Sequence, residues 1–149
     1  MTAIATSGLG EAVGQVTITF GVVNNFDRQR HASDERVAVR RLELADVLMD
    51  TGASHLCLPA DAVAELGLVL DETVPVETAA GIRMLRVFEG ARIEFDGRHA
   101  TVDVVELDAG ARPLFGAIPM EALGVEPDTS RRRVRMLPRG ERGVSFLRA

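Results

Sequence analysis

The sequence lacks any stretch approaching the ~20 consecutive apolar residues of a membrane-crossing helix, so that class of protein is excluded. It has one cysteine, Cys57, so no disulfide can form within the chain and nothing in its cysteine usage points to an oxidising compartment. The opening MTAIATSGLGEAVG has no basic segment leading into an apolar one, and a cytoplasmic location is the expectation. No phosphate-cradling glycine motif occurs. His31 and His99 lie in polar surroundings without the spacing of zinc ligands, so neither a metal nor a cofactor is expected. Lysine is missing altogether: all 17 basic residues are arginine.

What is present fits one globular domain over residues 1–149, with 46% hydrophobic and 26% charged residues. Its core is expected over about 13–137, with residues 1–12 flexible and 138–149 a C-terminal segment. The net charge of -5 is unevenly spread, because residues 131–149 hold seven arginines against a single acid, Glu141. A basic end can serve nucleic acid. Here the arginines alternate with Val134, Met136, Leu137, Val144, Phe146 and Leu147, which reads as strands with a solvated face. Nucleic acid is therefore the less favoured partner.

Period-two alternation of Val16, Ile18, Phe20 and Val22 predicts a strand over Val13–Val23, broken by a polar connection from Asn24 to Asp34. The chain is extended again from Glu35 to Met49, ending in the buried-type run Val47-Leu48-Met49. Pro59 opens a short helix with Asp61 in its first turn and Gly67 as its stop. Strand-like pieces Val74–Thr78 and Ile82–Phe88 flank a mobile hairpin tip at Ala79, Ala80 and Gly81. Arg92–Phe95 and Ala100–Leu107 flank Asp96-Gly97, a strong hairpin signal. Pro113–Gly116 is a short apolar strand, Pro119–Leu123 a second short helix stopped by Gly124, and Val134–Leu137 and Val144–Leu147 are final strands. The fold class is mainly β with two short helices. LMDTGA (48–53) and PLFGAI (113–118) each read as strand, turn and helix, which suggests two similar halves.

The sharpest chemical feature is Asp50-Thr51-Gly52, which follows an apolar strand and leads into Ala53-Ser54. A bare D-[ST]-G is expected by chance in roughly one chain in fifteen of this length, so the tripeptide alone decides little. Its flanks and the downstream Leu114-Phe115-Gly116 turn add the weight. With both, the sequence resembles the retropepsin-like, single-lobe aspartic proteases over about residues 13–137, closest in look to their bacterial members.

That resemblance implies an all-β, acid-protease-like closed barrel with one lobe per chain, a polypeptide substrate and a homodimer. Hydrolysing an amide with water needs a base for the water proton and an acid for the carbonyl oxygen. Two carboxylates held too close to ionise together supply both. This chain offers one suitable aspartate, since Asp128-Thr129-Ser130 lacks both the turn glycine and the apolar strand. By resemblance, Asp50 is catalytic, and Thr51, Gly52 and Ala53 form the active-site turn and support the interface. Ala79, Ala80, Gly81 and Ile82 form a flap over substrate, and Leu114, Phe115 and Gly116 form the second glycine turn. The chain ends would supply interface strands. Viral relatives carry an acid and an arginine where this chain has Ser54 and Ala117.

Three other readings remain open. The chain could be an inactive dimeric module of the same fold that binds peptides or proteins, or a nucleic-acid binder using its arginine-rich end. Ser54, His55 and Cys57 also invite a nucleophile-and-base reading, although a cysteine in such a context is more often a small buried hydrophobe.

Overall fold

The first strand follows from alternation: Ile18, Phe20 and Val22 are buried while Thr17 and Thr19 are exposed, which gives β1 (Thr17–Asn24). The computed structural model describes residues 14–139. After β1 come α1 (Asn25–Ser33), β2 (Arg41–Met49), β3 (Leu56–Pro59), α2 (Ala60–Leu66), β4 (Val69–Thr78) and β5 (Gly81–Phe95). These are followed by β6 (Arg98–Leu107), β7 (Leu114–Phe115), α3 (Ala117–Leu123), β8 (Val125–Asp128) and β9 (Arg133–Met136). The expected flexible 1–12, the residues of the 138–149 segment beyond Arg139, and the strand over Val144–Leu147 lie outside the described residues.

Strands β1-β2-β7-β3-β6-β5 form a ring that β1–β5 pairing closes, with β4 continuing outward from β5. The closed barrel is thus present. Its interior is the main core, in which the Phe20 and Phe115 rings meet edge to face with centroids 4.8 Å apart. β5 and β6 are joined through Asp96 (φ 49°) and Gly97 (φ 82°), the left-handed pair that a two-residue hairpin needs. Helices α2 and α3 each end on a left-handed glycine, Gly67 and Gly124, as the sequence indicates. The segments 48–53 and 113–118 meet directly: β2 and β7 pair in parallel, Leu48 opposite Leu114 and Met49 opposite Phe115.

The sequence reading of two helices is corrected to three, because the polar connection from Asn24 to Asp34 contains α1. This helix has no apolar stripe, and its buried position is an aspartate. The Asn24 side chain caps it by accepting from the Asp27 N–H (2.9 Å) and donates to the Leu66 carbonyl (2.8 Å). Asp27, 1% exposed, accepts from Arg40 Nε (2.8 Å), Arg40 Nη2 (2.9 Å), the Arg40 N–H (3.0 Å) and Arg30 Nη2 (2.8 Å). Polar satisfaction, not hydrophobic periodicity, therefore holds α1 in place. Two further differences are smaller. Ile82–Phe88 and Arg92–Phe95 belong to one strand, β5, bent by a bulge between Phe88 and Ala91. β8, which the sequence reading did not mark, pairs with β9.

The Arg40 guanidinium holds the Asp27 carboxyl down at about 2, against burial that pushes it up. A lowered folded-state value means that its contribution is complete above the ordinary carboxyl range and is lost as pH falls through about 4 towards 2. Asp27→Ala is expected to cost about 2–4 kcal/mol at neutral pH by stranding Arg40 and the α1 N-terminus. Urea unfolding at pH 7 and near pH 2.5 checks both points: the gap between wild type and variant should shrink at the lower pH.

Candidate active site

The end of β2 sets the site, because the run Val47-Leu48-Met49 is locked between β1 and β7 and delivers Asp50 at the edge of the barrel. The Asp50 N–H donates to the Phe115 carbonyl (3.0 Å), continuing the β2–β7 ladder by one step. The chain then turns sharply. The Ala53 N–H donates to the Asp50 carbonyl (3.0 Å), and the Gly52 N–H donates to Asp50 Oδ1 (2.9 Å), so the turn fixes its own carboxylate. A Cβ on Gly52 would sit 3.2 Å from that oxygen. Thr51 and Gly52 are exposed, whereas Ala53 is buried.

The second glycine turn is joined to this one by backbone. The Gly116 N–H donates to the His55 carbonyl (3.1 Å), Ala117 N–H to Ala53 (2.8 Å) and Ile118 N–H to Ser54 (2.8 Å). The segments approach so closely that a Cβ on Gly116 would lie 2.5 Å from the His55 carbonyl oxygen and 2.6 Å from that of Ala53. Asp50, Thr51, Gly52 and Ala53 thus come together with Leu114, Phe115 and Gly116, although some sixty residues separate them. Ser54 and Ala117 take part through their backbones, and Ser54 Oγ lies 2.8 Å from His55 Nδ1.

Ala79 and Ala80 form the tip of the β4–β5 hairpin, with Thr78 opposite Gly81. Gly81 adopts φ 115°, and Ile82 is largely exposed on the outer face. On the inner face, Val76, Leu85 and Val87 share an apolar cluster with Ala53, Cys57, Val105 and Leu114. This cluster joins the hairpin to both turns. The sequence reading did not single it out: alternation at Leu85 and Val87 indicates a strand with a buried face but not what that face covers.

Cys57 lies at the centre of the cluster, fully buried, with its thiol pushed up to about 12 by burial and by the charge of Asp50. A thiol so placed stays protonated, which removes the nucleophile-and-base reading of Ser54, His55 and Cys57. Asp128 is also far from an active-site role. It closes the β8–β9 turn by accepting from Ser130 Oγ (2.9 Å) and the Arg131 N–H (3.2 Å). His31 Nδ1 donates to the Val37 carbonyl (2.8 Å), a loop contact. Among the described residues no cluster of His, Cys, Asp or Glu is arranged to hold a metal ion.

The family model described as aspartyl protease matches residues 35–125, a span that runs from the approach to β2 through the D-T-G turn to the end of α3. The chain belongs to the aspartyl protease family. Among solved structures, the EIAV protease complexed with the inhibitor HBY-793 is similar to this protease at 17% identity and a TM-score of 0.48, over 80% of this chain and 95% of that one. No curated protein matches it. No helix among the described residues of the protease is long and apolar enough to cross a membrane.

Proposed function

We propose that the protease is a homodimeric endopeptidase in which Asp50 and its symmetry mate activate one water molecule to cleave a peptide bond held beneath the β4–β5 hairpin. One observation carries this reading: the chain supplies a single D-T-G turn, rigidly held, and the chemistry needs two carboxylates. A twofold axis beside the exposed Thr51-Gly52 edge brings the second copy of the same turn to the first. The paired carboxylates then titrate as a unit that retains one proton. The ionised member takes the water proton, and the protonated member polarises the substrate carbonyl. The water oxygen bonds to the carbonyl carbon, the C–N bond then breaks, and the dyad passes a proton to the departing nitrogen, so water is the nucleophile and no covalent intermediate with the enzyme forms.

The apolar cluster seats the base of the hairpin on both turns, and the hairpin is the flap that closes over the substrate. Ser54 and Ala117 cannot form an ion pair, so the dimer has no charge pair between these two positions. Incubation with an unfolded polypeptide from acidic to neutral pH tests the reading. Internal cuts support it, and an intact substrate at every pH overturns it.

A further inference from the structure

β5 pairs with β6 only from Val87 onward, so the backbone of residues 81–86 pairs with β4 alone. The outer hairpin is thus a two-stranded ribbon, an element that is at best marginally stable without outside contacts. Its root is pinned on one face by Arg86, whose Nε and Nη2 donate to the two carboxylate oxygens of Glu106 on β6 (2.8 and 2.9 Å). Arg83 lies nearer the tip, opposite Val76, and alternation puts it on the inner face with Leu85 and Val87.

From there Arg83 Nη2 donates to Asp108 Oδ1 (3.0 Å). Asp108 stands on a braced loop: the Ala111 N–H donates to the Asp108 carbonyl (3.0 Å), and the Gly110 N–H donates to Asp61 Oδ1 on α2 (3.0 Å). The loop runs on into β7 and the Gly116 turn. Among the described residues, this is the one ion pair that ties the ribbon beyond Arg86 to the body of the barrel.

We propose that Arg83 and Asp108 are positioning residues that form a latch holding the flap down beside the active site. The proposal rests on reading the β4–β5 hairpin as the flap. Both side chains are well exposed, 50% and 75%, so the bond is weak and screened by salt. Such a contact suits a lid that must open in every turnover, since a buried tether would hold it shut. Losing it should raise the open population by roughly two- to fivefold, the range of an exposed pair.

Amide hydrogen exchange on the full-length protein at low salt tests the latch, comparing wild type with Arg83→Gln, Asp108→Asn and the exchanged pair Arg83→Asp/Asp108→Arg. Each single variant should speed exchange at residues 81–85 by roughly two- to fivefold, with the amides of β1 and β6 unaffected. The exchanged pair should restore the wild-type rate, and high salt should bring wild type up to the single variants. Equal rates in all four proteins, or faster exchange throughout the barrel, would overturn the proposal. Exchange reads the flap whether or not peptides are cut, so the latch and the catalytic reading can fail separately.

Discussion

Asp50→Asn is expected to reduce cleavage of an unfolded polypeptide by about 10³-fold or more while leaving the fold intact. The amide is isosteric with the carboxyl group, and its oxygen can still accept from the Gly52 N–H, so the turn keeps its shape. What it loses, on the proposed mechanism, is the ability to take a proton from water or to share one with its symmetry mate. Because the Asp50 charge is also one of the causes that raise the Cys57 thiol, the variant should titrate that thiol at a lower pH than wild type. Matched thermal melts and turnover assays check the prediction. Undiminished cleavage in the variant would remove Asp50 from the chemistry, and a wild type that binds peptides without cutting them would be the inactive module of the same fold.

Gly116→Ala is expected to have the largest effect on the scaffold. The backbone here, φ -91° and ψ -168°, is open to any residue, so the cost is purely one of space. The new methyl would meet the carbonyl oxygens of His55 and Ala53 at 2.5 and 2.6 Å, and these are backbone atoms with no rotamer to escape into. Relief requires the two turns to separate, which weakens the hydrogen bonds from Gly116, Ala117 and Ile118 and moves Asp50. A loss of about 3 kcal/mol or more in stability is expected, together with activity at or below a few per cent of wild type. Gly97→Ala is the control: nothing lies within 4 Å of its Cβ position, but φ is 82°. Strain alone should cost it about 1–2 kcal/mol, with little change in turnover per folded molecule. Urea midpoints and specific activities separate the two variants.

These glycines also mark what the sequence makes legible. The positive φ of Gly67, Gly97 and Gly124 serves two helix caps and a hairpin turn that close within a few residues, so local pattern suffices to place them. Gly116 is visible as a turn residue, but its requirement for glycine comes from His55 and Ala53, far away in the chain. The D-T-G turn is legible for a related reason: an apolar strand, an aspartate and a glycine are all contiguous. α1 is not, since its stability comes from Asn24 and Asp27 meeting Leu66 and Arg40, and a polar helix without a stripe reads as a connection. The apolar bed under the β4–β5 hairpin lies between these cases. Leu85 and Val87 announce a buried face, while its partners Ala53, Cys57 and Leu114 become known only through strand pairing.

The central claim is that two Asp50 side chains make one site, and mixed dimers test it most directly. Wild type and Asp50→Asn chains, unfolded together in equal amounts and refolded, should pair at random, leaving about a quarter of the dimers with both carboxylates. Specific activity per total protein should therefore fall to about one quarter of the wild-type value, and should follow the square of the wild-type fraction as the ratio is varied. A linear fall, with half the activity at equal amounts, would mean that each chain works alone and would contradict the account.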